Sequence, residues 1–149
     1  MTGRRPLAAL VLAFAALAAG CGGGGSGDAK TRTTIERNWE TFFDASGSAS
    51  TATRAGLLQN GALFASLIRR VAANPLSKQL SAKVSNVDVT GPNAAKVKYT
   101  LYLGKTAVLK NVEGTAVREN GAWKVGYASF CQLLALQGAA PKSCPAPSR

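Results

Sequence analysis

Ala95-Lys96-Val97-Lys98-Tyr99-Thr100-Leu101-Tyr102-Leu103 alternates its side chains between two environments. Val97, Tyr99, Leu101 and Leu103 fall on one face of an extended chain, and Lys96, Lys98, Thr100 and Tyr102 fall on the other. A period of two is that of a strand with one buried and one wet face. Gly91-Pro92-Asn93 turns the chain into this strand from an earlier one, expected over Ala82 to Val89. A third strand is expected from about Thr106 to Glu119 and a fourth from Ala122 to Phe130. Between these two lies Asn120-Gly121, the pair that a tight hairpin turn favours because both central positions need positive φ. The four segments read as an antiparallel meander.

Upstream of the strands the period lengthens. Ile35, Trp39, Phe42 and Phe43 have the i, i+4, i+7, i+8 spacing of one helix face, and Thr33 or Thr34 is placed to cap that helix. Glu36 in its first turn suits the helix dipole. The small residues Ala45 to Ser50 break the chain, a second helix fits Thr51 to Gln59, and Asn60-Gly61 closes it. A third helix, Ala62 to Ala73, carries Leu63, Phe64, Leu67, Ile68 and Val71 on one face and ends at Asn74-Pro75. A last helical turn or two is expected from Cys131 to Leu136, stopped by Gly138. Helices followed by an antiparallel meander give an α+β fold, with the N-terminal helices packed on a curved four-stranded sheet. The order resembles NTF2-like and cystatin-like domains, an analogy of fold that carries no function.

The chain has 149 residues, 46% of them apolar, enough for one domain with a core of ordinary size. It has 18 Lys and Arg, 7 Asp and Glu and no His, so the commonest general base and metal ligand are missing. Residues 1–20 hold two of the Arg and no acid, which leaves sixteen basic and seven acidic side chains from residue 21 onward.

Those first residues read as a leader. Arg4 and Arg5 precede an unbroken apolar run, Leu7 to Ala19. Its thirteen residues at about 1.5 Å each reach roughly 20 Å, short of the ~30 Å of a bilayer core and right for a signal peptide. The Arg pair is also a feature of twin-arginine export. Pro6 follows it directly and the wider motif is missing, so ordinary Sec export is expected. The run ends in Leu17-Ala18-Ala19-Gly20-Cys21, which resembles the lipobox of bacterial lipoproteins, with Ala18 where the usual pattern has Leu. Small residues fit the signal peptidase, and only a thiol accepts the diacylglyceryl group as a thioether. The alternative is plain secretion with a free thiol at Cys21. The expected layout is a signal peptide over 1–20, lipid-bearing Cys21 with a Gly-rich tether over 21–32, one domain over 33–144 and a tail over 145–149. Gly22 to Gly27 is a tether with little to pack, which makes sense if the residue before it is fixed at the extracytoplasmic face of the cell membrane.

With Cys21 consumed by lipid, Cys131 and Cys144 remain, and outside the cytoplasm two thiols tend to pair. Cys131 sits in the apolar run Phe130 to Leu136, surroundings that make a thiol inert rather than reactive.

The side chains with chemistry to offer are few. Glu36, Glu40 and Asp44 form one helical stripe, read as a solvated face rather than a catalytic pair. No nucleophile has a base partner, so no enzyme, cofactor or metal is expected. Trp39, Phe43, Phe64, Tyr99, Trp123 and Tyr127 are candidates to line an apolar cavity for a small or lipid-like ligand, against the default of solid packing. Lys96, Lys98 and Lys110, outward on neighbouring strands, are candidates for a patch that meets anionic envelope polymer or lipid, against the default of a solubilising surface. Export removes nucleic acid as a partner, and the oligomeric state is not legible.

Several segments taken together resemble a known family: Asn38-Trp39-Glu40-Thr41-Phe42-Phe43, Leu57-Leu58-Gln59-Asn60-Gly61, Ser81-Ala82-Lys83-Val84, Gly121-Ala122-Trp123-Lys124-Val125 and Ser129-Phe130-Cys131-Gln132-Leu133-Leu134. They are similar to the C-terminal domain of the low-molecular-weight secreted antigens of mycobacteria and related actinobacteria, over about Thr33 to Cys144. The resemblance implies an exported or surface-attached protein, often a lipoprotein, with no established enzymatic activity and no catalytic residues to carry over. The working expectation is a non-catalytic binding module on a lipid anchor, the alternative a small-ligand carrier.

Overall fold

Helix α1 runs from Gly25 to Phe43. The computed structural model describes residues 25–44, 49–136, 138 and 141–144; the expected signal peptide, Cys21 and the 145–149 tail lie outside them. The start of α1 corrects two expectations: Thr33 and Thr34 do not cap it, and residues 25–32, expected as tether, are helical. Asp28 complements the dipole in the first turn, and nothing between it and Thr33 breaks a helix. The Thr33 and Thr34 hydroxyls instead donate back one turn, to the carbonyls of Ala29 (3.1 Å) and Lys30 (2.9 Å).

Ser50 caps α2 (Thr51–Leu57), its hydroxyl accepting from the Thr53 N–H at 3.0 Å. The helix is two residues shorter than expected because Leu58 and Gln59 are drawn to the sheet, where the Gln59 N–H donates to the Val125 carbonyl at 2.9 Å. Asn60, in the left-handed region at φ 54°, then starts α3 (Gly61–Ala73). A short 3-10 turn, Pro75–Gln79, leads into the sheet.

The sheet is an antiparallel meander in the order β1 (Leu80–Gly91), β2 (Ala94–Leu103), β3 (Thr106–Glu119), β4 (Ala122–Val125). Val97, Tyr99 and Leu101 are buried as the alternation requires, and Asn120-Gly121 makes its turn with φ of 51° and 79°. The fourth strand corrects another expectation, ending at Val125 rather than Phe130. The Gly126 N–H closes on the Thr115 carbonyl at 2.7 Å, and the Gly126 carbonyl accepts from Ser129 at 3.0 Å, which opens α4 (Tyr127–Leu136). A Cβ on Gly126 would collide with Thr115, so this close approach needs glycine. Cys131 of α4 is bonded to Cys144, with Cα atoms 5.5 Å apart. The bond closes a short loop, worth about 3 kcal/mol in the chain-entropy model.

The sheet is curled into a half-barrel. Pairing slips between Val84 and Asn86 on β1, and between Tyr99 and Leu101 on β2 where it faces Leu109 to Val112 of β3. These irregularities face one another across the sheet, and bulges add local bend and twist. Helix α1 lies in the hollow and reaches both edges. The Asn38 side chain donates to the Trp123 carbonyl of β4 at 2.7 Å, and Glu40 accepts from the Val84 N–H of β1 at 3.2 Å. Each bond satisfies an edge group that would otherwise template further pairing. Between them Trp39 is fully buried, pressed against Gly114 of β3. Among the described residues the buried hydrophobic core lies between Ile35 and Leu134.

A Cβ at position 114 would overlap the Trp39 ring and lie 3.0 Å from Ser129 Oγ. Gly114→Ala is therefore expected to cost about 1–3 kcal/mol by overpacking. The thermal midpoint reads this out, and an unchanged value would show that the indole does not sit against β3.

Candidate functional site

The six aromatic candidates divide between the core and the surface. Trp39, Phe43, Phe64 and Tyr99 are buried, while Trp123 and Tyr127 are half-buried. Trp39 lies 4.7 Å from Tyr99 and 5.8 Å from Phe43, ring centroid to centroid, and Phe43 stacks on Tyr99 at 6.0 Å. Phe42 and Phe130 continue the chain of rings to Phe64. These rings fill the middle of the hollow. Trp123 borders a shallow surface depression beside the first turns of α1, and the Tyr127 N–H is held by the Gln59 side chain at 3.3 Å.

Towards the end of the hollow near the 3-10 turn, the filling stops and a pocket of about 390 Å³ opens. Its walls are Phe42 and Phe43 of α1, Ile68 and Val71 of α3, and Phe130, Leu133, Leu134 and Leu136 of α4. The sheet contributes Leu80, Leu101, Val108 and Leu109. Phe43 is the one aromatic candidate from the sequence that lines it. Leucines, an isoleucine and valines, none of them among the aromatic candidates, form most of the described wall. For the α4 part of the wall the signal was the run Phe130-Cys131-Gln132-Leu133-Leu134, whose helical spacing puts Phe130, Leu133 and Leu134 on one face.

Arg54 and Ser77 are the polar side chains of this lining. The Arg54 guanidinium donates through Nη2 to the Asp44 backbone carbonyl, while its Nε is buried with no hydrogen-bond partner. No carboxylate or free thiol belongs to the described lining. Volume and apolar wall together match a small-molecule site of modest size.

The lysine candidates do not stand in a uniform field. Lys96 and Lys98 are exposed on the outer face of β2, beside Asp88 of β1 and Glu113 of β3, with Lys96 Nζ 3.4 Å from Glu113. Both line a shallow depression of about 300 Å³ that also contains Arg32, Asp88 and Glu113. Lys110 sits at the β3 irregularity instead, next to Leu109 of the apolar pocket, and is not part of that depression. The carboxylate stripe is not simply solvated. Glu36 is exposed, but Glu40 is half-buried at the edge of β1, and Asp44 is half-buried with its carbonyl bonded to Arg54. On the hairpin, Lys124 donates to Glu119 at 2.6 Å and holds that carboxyl below its ordinary 4.5.

Such an architecture defines a class: small α+β domains whose helices fill one part of a curled antiparallel sheet and leave an apolar hollow in another. Residues 28–141 match the family described as low molecular weight antigen MTB12, C-terminal domain, and the chain belongs to that family, as its segments suggested. It is not a known enzyme family. No curated protein matches the chain.

Tyr99, packed between Trp39 and Phe43, gives a chemical reading of the filled part of the hollow. Burial pushes its phenol up to about 12 from an ordinary 10.0. Between these values the unfolded chain loses the proton and the folded one keeps it, so stability present below pH 10 declines as pH rises towards 12. Measured by denaturant titration, this loss should approach about 2–3 kcal/mol and be missing from Tyr99→Phe. Parallel losses in both proteins would place the phenol in solvent.

Proposed function

We propose that the protein is a non-catalytic carrier module of the cell envelope, held at the extracytoplasmic face of the membrane by lipid on Cys21, that takes a small apolar ligand into the pocket beneath the sheet. The observation that carries this reading is the pocket itself: about 390 Å³ walled by α1, α3, α4 and one end of the sheet, with twelve of its fourteen described lining residues apolar. Protein interiors of this size pack solidly by default, so an apolar space of this kind costs stability unless something occupies it. The described lining supports binding rather than turnover, because among its residues there is no carboxylate, imidazole or free thiol to move a proton or attack a bond. The outer-face reading has less support, since Asp88 and Glu113 break up the charge of Lys96 and Lys98.

Native mass spectrometry of the protein extracted gently from its own membrane tests both halves of the proposal. The expected spectrum has a diacyl or triacyl adduct on Cys21 and a second, non-covalent apolar ligand. Val71→Trp, which fills the pocket from its α3 wall, is expected to lose that ligand and to bind the neutral dye N-phenylnaphthylamine at least about tenfold more weakly. A mature chain without acyl groups would overturn the anchor. Equal dye binding by the two proteins, or binding by neither, would overturn the pocket.

A further inference from the structure

The pocket opens at one end of the domain, where the 3-10 turn, the β2–β3 turn and the last turns of α3 and α4 come together. Its rim is unusual for a water-soluble surface. Leu76 is 59% exposed, Val108 49% and Leu136 65%. Val108 and Leu136 line the pocket, and Leu76 precedes Ser77, which also lines it. Three of the four large apolar side chains exposed among the described residues are therefore gathered at this mouth. Single exposed leucines need no explanation, but a cluster around an apolar opening does.

The exposed charges that adjoin the described lining residues are all cationic. Arg70 adjoins Val71, Lys78 adjoins Ser77, and Lys110 adjoins Leu109, each neighbour being a lining residue. Lys105 follows Gly104 in the β2–β3 turn, whose N–H is bonded to the Gln79 carbonyl at 2.7 Å. All four cations are exposed. The sequence has no Asp or Glu from Ala45 to Val87, from Val89 to Val112, or after Glu119. Asp44, next to Phe43, is the nearest acid along the chain; it is half-buried and outside the lining. The same end of the domain thus carries protruding apolar side chains and flanking cations, with no acid among the described lining residues. Apolar groups that enter the acyl boundary, with Lys and Arg at headgroup level, are the arrangement of an interfacial membrane contact.

We propose that this rim docks onto the surface of an anionic lipid bilayer, Leu76, Val108 and Leu136 entering below the headgroups while Arg70, Lys78, Lys105 and Lys110 meet them. The purpose of the contact rests on the carrier reading: with the mouth on the bilayer, an apolar ligand passes between lipid and pocket without crossing water. The contact itself is separable from that reading.

The test is co-sedimentation with vesicles, using the chain from residue 22 onward, which contains the whole described core and lacks the acylation site. Binding to phosphatidylglycerol-containing vesicles is expected to be at least about tenfold tighter than to phosphatidylcholine alone, and to weaken as salt rises from about 0.05 to 0.3 M. Leu76→Ser with Val108→Ser, which leaves the charge unchanged, should weaken it at least about fivefold, as should Lys78→Glu with Lys105→Glu. The outer-face pair Lys96→Glu, Lys98→Glu, with the same change in net charge, should have a much smaller effect. An equal loss in the two charge-reversed pairs would mean non-directional attraction and overturn the proposal. So would full binding by the double Ser variant, or capture of soluble dextran sulfate in place of vesicles. Dye binding by the wild type, measured without vesicles, reads the pocket independently: rim-dependent docking without dye binding would retain this proposal and remove the carrier reading.

Discussion

The fold depends on one side chain meeting one backbone. Trp39 fits beneath the sheet because position 114 has no Cβ, and the indole occupies the space against β3. A large aromatic buried in this way contributes on the order of 3–5 kcal/mol against its truncation. It also fixes where α1 lies. With Trp39 centred on β3, Asn38 reaches the β4 edge and Glu40 reaches the β1 edge, so consecutive residues of one helical turn hold the floor and both rims of the half-barrel. The arrangement carries a cost, since the Trp39 Nε1 is buried with no hydrogen-bond partner. The packing of Tyr99 and Phe43 around the ring offsets it.

The same geometry explains why the pocket lies where it does. The pairing irregularities of β1, β2 and β3 divide the sheet into two parts. Val97, Tyr99, Gly114 and Ala116 lie on the side of the Pro92-Asn93 turn, under Trp39, where the hollow is filled. Leu80, Leu101, Val108 and Leu109 lie on the other side, and all four line the pocket. Beyond that line α1 ends at Phe43, and the space it would have occupied is left to aliphatic side chains from two helices, α3 and α4. A single helix of this length fills one compartment of a bent sheet and leaves the second to be closed by α3 and α4.

Much of this was legible in the residues. β2 has an unbroken period of two, from Ala95 to Leu103, because it is the strand about which the others bend, and its pattern alone indicated a half-buried antiparallel sheet. The β3–β4 turn was readable from Asn120-Gly121, and the Cys131–Cys144 pairing from counting thiols. The bend was recorded less openly. Inward positions on β1 run Leu80, Ala82, Val84 and then Val87, Val89; on β3 they run Ala107, Leu109 and then Val112, Gly114, Ala116. Each strand skips one place, at Ser85-Asn86 and at Lys110-Asn111, and Asn111 has φ 52°. A slip in parity on both sides of an unbroken strand is the sequence mark of a curled sheet. The pocket was harder to see, because no periodicity distinguishes a leucine that touches another leucine from one that faces empty space. The start of α1 was missed for a different reason. Gly22 to Gly27 argues for flexible chain, and only the absence of any breaker from Asp28 onward argues against it.

The direction of α1 bears on how a tethered domain would work. Its first turns lie beside Pro92 and Gly121, at the end of the domain away from the pocket, and its last turn supplies Phe42 and Phe43 to the pocket wall. Nineteen residues at about 1.5 Å each put these ends roughly 28 Å apart. Cys21 precedes Gly25, the first described residue of the helix, by four positions, which span at most about 14 Å. A lipid on Cys21 would therefore hold the domain by the end opposite its mouth. An upright domain would present the rim away from the anchoring bilayer, towards whatever anionic lipid surface faces it across the envelope. Contact with the anchoring bilayer would instead require the domain to lie along the membrane or the first turns of α1 to unwind. The short reach between anchor and helix makes the upright arrangement the less costly one, since it leaves α1 intact and buries no charged face of the sheet.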